Sequence, residues 1–267
     1  MRQFPTSEND YETKLLSTKI VIFADLDGTI LNTSYNFAEI QPIIENLKQL
    51  NVAIILNSSK TKQEIIYYKN KLRINEPFIA ENGSAIYIPK NYFNIQYNFT
   101  KNTSFYNVIE LGLDYATIRK NLKRIKKKNN AKILGFGDMT PEEVSRDTNL
   151  PVHLACKAKK REYDEAFKII EGNPTTILES IKDQGLNHTK GGRYYHILGN
   201  TDKGKAANNL KQLYLKEYTK IVTIAVGDSQ NDQPMLKIVN KPFMLDENIL
   251  LVWKKILETV KTYSLTA

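Results

Sequence analysis

Cysteine is nearly absent from this chain of 267 residues, which contains only one, Cys156. A single cysteine excludes an internal disulfide and a zinc site built from cysteines, and it is typical of proteins in a reducing compartment. No apolar run approaches the roughly 20 residues of a membrane-spanning helix, and residues 1–17 lack the apolar core of a signal peptide. The sequence therefore predicts a cytoplasmic protein with no membrane partner and with a polar N-terminal extension over residues 1–17.

Acidic side chains are the minority among the charged residues, because 29 Asp and Glu face 38 Lys and Arg, for a formal net charge of +9. Such an excess suits nucleic acid, but it also suits a small anionic substrate. The densest basic run, residues 120–128, contains no aromatic side chain on which a base would stack, and it is typical of a solvated helix face. We therefore expect a small anionic substrate and no nucleic-acid partner, and nucleic-acid binding is kept as an alternative.

Internal repeats and low-complexity segments are absent as well, and short apolar strands alternate with amphipathic helices instead. An apolar strand at residues 20–24 precedes a helical pattern at residues 43–50, and a second apolar strand follows at residues 52–56. This β-α-β-α order predicts an α/β fold with a parallel sheet. The same pattern resumes after residue 204.

The middle of the chain has a different composition, with many aromatic residues, asparagine-rich turns and an alternating apolar run at residues 105–111. Its patterns predict helices at residues 115–128, 140–148 and 163–171 and strands at residues 132–136, 152–155 and 194–198. A mixture of this kind is typical of an α+β domain. The sequence thus predicts a core domain at residues 18–89 and 197–267 and an inserted α+β cap domain at residues 90–196.

Acidic residues follow the predicted strands at the points where those strands end. Asp25 and Asp27 come directly after the first strand, and Asp228 follows an apolar strand at residues 221–225. The carboxyl ends of parallel strands meet at one edge of a sheet, where open α/β sheets bind their ligands. Carboxylate and phosphate oxygens are ligands that Mg²⁺ prefers. We therefore expect a Mg²⁺ site whose metal-binding residues are Asp25, Asp27, Asp228 and Asp232.

Two further polar residues suit a phosphate ester at the same edge. Ser58 follows the second apolar strand, and Lys203 lies in the polar segment at residues 200–205. A hydroxyl group and an ammonium group both donate hydrogen bonds to phosphate oxygens. The site is therefore expected to combine acids that hold a cation with donors that hold an anion.

These residues stand in a definite order along the chain. The segments that carry the order are Asp25-x-Asp27-Gly28-Thr29, Ser58, Lys203 and Gly227-Asp228-x-x-Asn231-Asp232. Together they resemble the four motifs of the haloacid dehalogenase (HAD) phosphatase superfamily, and the resemblance covers nearly all of the chain. The long insertion between the second and third motifs resembles the larger C2-type cap of the Cof-like branch. The resemblance implies a HAD-like Rossmannoid core with a parallel sheet and an inserted α+β cap.

The resemblance also implies catalytic roles. Asp25 is expected to be the nucleophile that forms an aspartyl phosphate, and Asp27 the acid and later the base. Ser58, Lys203 and Mg²⁺ are expected to stabilise charge on the transferring phosphoryl group. A non-catalytic partner or scaffold with this fold is the other alternative, but it would be expected to have lost an acid or the lysine, and all of them are present.

Shorter motifs give a narrower resemblance. Residues 57–61, 81–85, 161–165, 191–196 and 227–236 look like the corresponding segments of mannosyl-3-phosphoglycerate phosphatases. The substrate implied is a phosphorylated sugar, mannosyl-3-phosphoglycerate, which is hydrolysed to mannosylglycerate and phosphate. Together with the first of the four longer motifs, these segments predict the substrate-binding residues Gly28, Thr29, Ser59, Lys60, Glu162, Asp164, Gly191, Gly192, Arg193 and Asn231.

The residues of the predicted cap fit such a substrate chemically. Gly191 and Gly192 allow the backbone to approach an anion, and Arg193 offers a planar fork for a carboxylate. Glu162 and Asp164 can accept hydrogen bonds from sugar hydroxyls, although acids are also favoured at the start of a helix. His196 is expected to be only a strand residue at the cap hinge.

One residue departs from the narrower pattern. Ala166 follows Asp164 and Glu165, where the resemblance leads us to expect a proline. We expect this change to alter the start of a helix and to leave the chemical groups in place. Glucosyl-3-phosphoglycerate phosphatase and sucrose-phosphate phosphatase therefore remain alternatives, since the sequence does not separate mannose from glucose. It also carries no indication of the oligomeric state.

Overall fold

The chain folds around two β-sheets in a computed structural model that describes residues 18–246 and 248–265. The predicted N-terminal extension, residues 1–17, lies outside the described residues. The strands within these ranges are β1 (Lys19–Ala24), β2 (Ala53–Asn57), β3 (Phe78–Ala80), β4 (Ala85–Pro89), β5 (Lys101–Asn102), β6 (Tyr106–Glu110), β7 (Lys132–Gly135), β8 (Asp164–Glu171), β9 (Asn187–Gly191), β10 (Tyr194–Leu198), β11 (Ile221–Gly227) and β12 (Lys241–Met244). The α-helices of the same ranges are α1 (Gln41–Gln49), α2 (Lys62–Leu72), α3 (Tyr115–Lys128), α4 (Pro141–Thr148), α5 (Val152–Ala158), α6 (Pro174–Asp183), α7 (Lys203–Glu217), α8 (Gln233–Leu236) and α9 (Ile249–Leu265).

The larger sheet has the strand order β12-β11-β1-β2-β3-β4-β6-β5. The strands from β12 to β3 are parallel, whereas β4, β6 and β5 are joined antiparallel. In β1, Ile22 packs with α1, α2 and α9 on one face, and Phe23 packs with α7 on the other. The central strands are therefore covered on both faces, which is why they read as continuous apolar runs in the sequence. The predicted α/β class with a parallel central sheet is confirmed.

The smaller sheet has the order β7-β8-β10-β9 and is antiparallel throughout. Helices α3 and α6 cover one of its faces, where Ile118, Phe167 and Ile177 are buried together. Neighbouring side chains of a strand point to opposite faces, and Ala166 packs with the main cluster of the larger sheet. One face of the smaller sheet is thus turned toward the larger one.

The change from one sheet to the other does not coincide with the predicted cap boundary at residue 90. β6 pairs with β4, and β5 pairs with β6, so the larger sheet continues to Glu110. The alternating run at residues 105–111 is an antiparallel strand with Val108 buried. Residues 101–110 therefore belong to the larger sheet, because alternation of this kind also occurs in a half-covered strand at the side of a sheet.

Two elements predicted in the middle segment are wrong in type. Residues 163–171, predicted as a helix, contain strand β8, and residues 152–155, predicted as a strand, lie in helix α5. β8 is packed on both faces, so its apolar residues do not alternate in the way that would identify a strand. In α5 the apparent alternation includes Val152, which is exposed. The buried residues of α5 are Leu154, Ala155 and Ala158.

Ala166 consequently has a different setting from the one expected. It lies in β8, pairs with His196 of β10 and is 2% exposed, so it does not start a helix. A proline in a strand that is flanked on both sides lacks a backbone N–H for the sheet. Alanine is therefore compatible with the observed strand.

The basic run at residues 120–128 forms the outer side of α3, as predicted. The buried residues of this helix are Ile118, Leu122 and Ile125, and the lysines between them are exposed. Across residues 18–246 and 248–265, no helix combines the length and the apolar character that crossing a membrane requires.

Candidate active site

The polar residues that follow the parallel strands meet at one edge of the larger sheet. β1 lies between β2 and β11 and is parallel to both. Asp25 follows β1, Ser58 follows β2 and Asp228 follows β11. Lys203 reaches the same edge from the first turn of α7. This is the edge at which open α/β sheets bind their ligands.

Lys203 joins two of the acids. Its Nζ donates to Asp25 Oδ1 at 2.5 Å and to Asp232 Oδ1 at 2.6 Å. The lysine is 1% exposed, and both carboxylates are buried as well. Burial opposes the charge on Lys203, but the two carboxylates outweigh burial and raise the lysine pKa. Lys203 therefore stays protonated and fixes both acids.

The second oxygen of Asp232 holds the loop that follows β11. Asp232 Oδ2 accepts hydrogen bonds from the backbone N–H groups of Asp228 and Ser229, each at 3.1 Å. Both oxygens of this buried carboxylate thus have donors, as a buried charge requires. Asp232 therefore sets the position of the Asp228 loop relative to Lys203.

Asp25, Asp228 and Asp232 fit a divalent cation. One carboxylate oxygen from each lies within 4.8 Å of the others. Within the part of the chain that the structure describes, a single ammonium group, that of Lys203, bonds to these three carboxylates. Burial raises the pKa of Asp25 to about 8, with Asp232 adding to the effect and Lys203 opposing it. A bound cation would favour the ionised carboxylates, and their hard oxygen donors match Mg²⁺.

The side chain of Asp27, a predicted metal ligand, is not part of this acidic group. Its Oδ2 is instead 2.9 Å from the Nζ of Lys60. Lys60 is buried, and its Nζ lies 5.3 Å and 5.8 Å from the ring centroids of Tyr35 and Tyr68. Asp27 Oδ1 has no hydrogen-bond partner among the described residues. The carboxylate is therefore anchored at one oxygen and keeps the capacity for another hydrogen bond.

Gly28 allows the two acidic loops to approach each other. Its φ of +75° lies in the left-handed region, which is costly for residues with a side chain. A Cβ atom on Gly28 would lie 2.1 Å from Oδ2 of Asp228, which is far inside van der Waals contact. Only glycine fits this turn.

A cavity of about 380 Å³ opens beside the acidic edge. Its volume falls in the range of small-molecule sites. The predicted site residues that line it are Asp25, Asp27, Gly28, Ser59, Lys60, Gly191, Gly192, Arg193, Asp228 and Asn231. The last strands of the smaller sheet supply three of them from the β9–β10 hairpin. The structure therefore places residues of both sheets around one cavity.

Ser58 and Thr29 are predicted site residues that do not line this cavity. Ser58 is fully buried, and its Oγ accepts a hydrogen bond from the backbone N–H of Lys60 at 3.3 Å. Thr29 is also fully buried, and its carbonyl accepts a hydrogen bond from Nε1 of Trp253 at 2.8 Å. Both residues support the loops from which the cavity residues project.

Glu162 and Asp164, predicted to bind sugar hydroxyls, are likewise absent from the cavity lining. Glu162 forms ion pairs with Lys62 at 3.3 Å and Lys101 at 3.8 Å. Asp164 is fully buried. The groups that bond to Asp164 are Arg161, Nδ1 of His196 at 3.0 Å and Nδ2 of Asn82 at 2.9 Å. Protein partners therefore occupy both carboxylates.

Arg161 and Glu81 are residues of this region that the sequence did not single out. Arg161 lines the cavity and donates from Nη2 to the carbonyl of Ser59 at 2.7 Å. Glu81 accepts hydrogen bonds from the backbone N–H groups of residues 162–164 at 2.8 to 3.1 Å. These contacts join the start of β8 to the loops after β2 and β3. In the sequence, Glu81 and Arg161 were marked only by lying in the shorter motifs at residues 81–85 and 161–165.

The chain is similar in sequence to a family of hydrolases and to individual phosphatases. The model of the haloacid dehalogenase-like hydrolase family matches residues 22–261. A Methanococcoides burtonii protein named glucosyl-3-phosphoglycerate/mannosyl-3-phosphoglycerate phosphatase is 46% identical over 232 residues, which are 86% of this chain and 85% of that protein. The mannosyl-3-phosphoglycerate phosphatase of Pyrococcus furiosus is 42% identical over 229 residues, which are 85% of this chain and 91% of that protein.

Solved structures with the same fold are more distant in sequence. A Thermoplasma acidophilum protein matches with a TM-score of 0.65 and 18% identity, over 92% of this chain and 99% of that one. A sugar phosphatase of HAD subclass IIB matches with a TM-score of 0.59 and 14% identity, over 92% and 91% of the two chains. These likenesses concern the fold, which agrees with the predicted combination of a core and a cap.

Proposed function

Because the chain belongs to the haloacid dehalogenase-like hydrolases, we propose that it is a Mg²⁺-dependent phosphatase that hydrolyses mannosyl-3-phosphoglycerate to mannosylglycerate and phosphate. The observation that carries the proposal is the position of Asp25. Lys203 holds this buried carboxylate, which lines a cavity together with Arg193. The names of the relatives at 46% and 42% identity support the choice of substrate.

In the first step, a carboxylate oxygen of Asp25 attacks phosphorus, and the bond between phosphorus and the leaving oxygen breaks. Protonated Asp27 gives its proton to that oxygen, so mannosylglycerate leaves with a hydroxyl group. The phosphoryl group is then bound to Asp25 as an aspartyl phosphate. Lys203 keeps Asp25 in position throughout this step.

In the second step, water attacks the phosphorus of the aspartyl phosphate, and Asp27 takes the proton of that water. Phosphate leaves, and the carboxylate of Asp25 is restored. The contact of Asp27 Oδ2 with Lys60 Nζ at 2.9 Å supports this role, because it fixes the carboxylate at one oxygen, while Oδ1 has no partner among the described residues and can exchange the proton.

Charge stabilisation comes from groups on both sides of Asp25. Asp25, Asp228 and Asp232 would hold Mg²⁺, which supplies positive charge to the phosphoryl oxygens when bound. Lys203 adds a fixed positive charge that is already oriented by two carboxylates, so it needs no reorganisation during the reaction.

Recognition of the glycerate carboxylate is assigned to Arg193. This residue follows Gly192, whose φ of +54° makes the tight turn of the β9–β10 hairpin. Arg193 is exposed to the cavity and has the planar fork that binds a carboxylate through two hydrogen bonds. The hairpin therefore binds the glycerate carboxylate, which a simple sugar phosphate lacks.

Glucosyl-3-phosphoglycerate is the second candidate substrate, because the Methanococcoides relative carries both names. The two substrates share the phosphate, the carboxylate and the glycerate. They differ only in the sugar, so the same Asp25, Lys203 and Arg193 would serve both.

Phosphate release with Mg²⁺ tests the proposal. The substrates to compare are mannosyl-3-phosphoglycerate, glucosyl-3-phosphoglycerate, sucrose 6-phosphate and simple sugar phosphates. The variants are Asp25→Asn and, as a matched control, Asp183→Asn, since Asp183 is an exposed aspartate whose ion pair, at 3.6 Å, is with the exposed Lys128. We expect a clear preference for the hexosyl phosphoglycerates, which Asp25→Asn abolishes and Asp183→Asn leaves intact.

Two results would contradict parts of this proposal. Equal, weak activity toward every substrate would exclude the assigned substrate and leave a phosphatase of broader specificity. Undiminished activity in Asp25→Asn would exclude the assigned nucleophile.

A further inference from the structure

His196 has one ring nitrogen fixed by a buried acid. It lies in β10, is 5% exposed, and its Nδ1 is 3.0 Å from Oδ2 of Asp164. Burial works to raise the pKa of Asp164, but Arg161 outweighs it and, with hydrogen bonds from His196 and Asn82, holds that pKa below its usual range. Because an ionised carboxylate only accepts hydrogen bonds, the proton of this contact lies on Nδ1.

The other ring nitrogen is available to a ligand. His196 lines the cavity that holds Asp25, and the described residues offer its Nε2 no hydrogen-bond partner. The Nδ1 contact fixes the plane of the ring, so the direction of Nε2 is set before any ligand binds. When Nδ1 carries the proton of a neutral ring, Nε2 is a hydrogen-bond acceptor.

An acceptor at this position complements the other groups of the cavity. Arg193 lines the same cavity and already offers donors to an anion. Asp164 was expected to accept from sugar hydroxyls, but its oxygens bond to Arg161, His196 and Asn82 instead. His196 contacts this buried acid through Nδ1 and lines the cavity, where its Nε2 can accept a hydrogen bond.

We propose that His196 is a specificity-determining residue whose Nε2 accepts a hydrogen bond from a hydroxyl of the sugar in the leaving group. Asp164 acts as the positioning residue that orients the ring. The inference rests on the proposed function, because it assumes a substrate in which a sugar is attached to phosphoglycerate.

The test separates recognition of the sugar from the chemistry at phosphorus. kcat/KM is measured with a hexosyl-3-phosphoglycerate, with 3-phosphoglycerate, which has the carboxylate and no sugar, and with p-nitrophenyl phosphate, which has neither. His196→Asn keeps a donor at the position of Nδ1 and removes the atom at Nε2. His196→Gln places an amide oxygen near the position of Nε2.

A neighbouring histidine provides the matched control. His188 lies on the adjacent strand β9, where it pairs with Ile197, and it does not line this cavity. His188→Ala is therefore expected to keep the wild-type values for all three substrates.

We expect His196→Asn to lower kcat/KM for the hexosyl substrate by about fivefold to tenfold, as loss of one hydrogen bond does. The other two substrates should be unaffected, and His196→Gln should recover part of the loss. An equal fall for all three substrates, or no fall for any, would overturn the role of His196. A fall shared by 3-phosphoglycerate would show that His196 reads the glycerate, which also overturns the inference.

Failure of the proposed function gives a different result. A wild-type enzyme that does not prefer the hexosyl substrate to 3-phosphoglycerate would overturn the assigned substrate and the role of His196 together. A preference that is present in the wild type and unchanged in His196→Asn overturns the inference alone.

Discussion

At the scale of single residues, Lys203 donates hydrogen bonds to two buried carboxylates at once. Lys203→Met leaves Asp25 and Asp232 close together without their common partner. We expect a loss of roughly 3–5 kcal/mol in the free energy of unfolding without Mg²⁺, because an uncompensated buried charge is costly. Urea unfolding measures this loss. Lys205→Met is the control, since Lys205 is exposed and its ammonium group bonds to the exposed Asn200. A similar loss in Lys205→Met would contradict the role assigned to Lys203.

Asp228 is the exposed member of the acidic group, so its removal tests metal binding without disturbing the core. We expect Asp228→Asn to lower Mg²⁺ affinity by at least about tenfold, while the unfolding free energy without the ion changes by less than about 0.5 kcal/mol. The readout is the rise of the unfolding temperature with Mg²⁺ concentration, because an ion that binds only the native state stabilises it. An unchanged Mg²⁺ response in Asp228→Asn would exclude this site. Asp183→Asn serves again as the control.

At the scale of elements, the start of β8 is attached to the turn after β3 by Glu81. Its carboxylate accepts from the backbone N–H groups of residues 162–164. Glu81→Gln replaces one of the two acceptor oxygens with a donor that faces these groups, so we expect them to open more often. Hydrogen exchange at residues 162–164 should accelerate by about tenfold or more, since each lost hydrogen bond is worth about 1 kcal/mol. Unchanged protection there would contradict the assigned link, and Glu142→Gln, at the exposed Glu142, is the control.

Some strands and helices of this chain could be predicted from the local sequence, and others could not. β1 and β11 were predictable because each is a continuous apolar run followed at once by an acid, which is a local signal. Asp25, Asp27 and Asp228 could be named for the same reason. Strand β8 was predicted as a helix, because it is buried on both faces and its apolar residues do not alternate. Helix α5 was predicted as a strand, because its first residues alternate between apolar and polar.

Contacts between distant residues explain the part of the site that was missed. Arg161 bonds to Ser59, which is 102 residues away, and His196 bonds to Asp164 on a neighbouring strand. The periodicity of the sequence does not indicate how the strands of the smaller sheet pair. The burial of Asp164 could therefore not be predicted. The residues that project from strand ends are predictable, whereas those that join the two sheets depend on the folded chain.

At the scale of the whole molecule, one buried lysine couples stability to pH. Lys69 of α2 donates to the backbone carbonyl of Glu76, and burial lowers its pKa from 10.5 to about 8. Below pH 8 the native state carries the cost of a buried charge, and this cost disappears as pH rises from 8 to 10.5 while the unfolded chain is still protonated. Stability attributable to Lys69 therefore increases across that window, by at most about 3 kcal/mol.

Urea unfolding of the wild type and of Lys69→Met at several pH values measures this effect. The wild type should gain stability relative to Lys69→Met as pH rises through the window. Lys71→Met is the control, because Lys71 is exposed on the same helix. We expect the unfolding free energy of Lys71→Met to change with pH as that of the wild type does. A wild-type advantage that falls with rising pH would contradict the assigned direction of the pKa change.

Residues of both sheets line the cavity that contains Asp25, so the most direct measurement follows the phosphoryl group to this residue. The wild-type enzyme is mixed with a hexosyl-3-phosphoglycerate that carries a radioactive phosphate, quenched in acid within the first turnover, and digested with trypsin. We expect a label that hydroxylamine removes, located at Asp25 in the tryptic peptide of residues 20–48. Rapid phosphate release with no label on the chain, or a label at another residue, would contradict the central claim that Asp25 is the nucleophile.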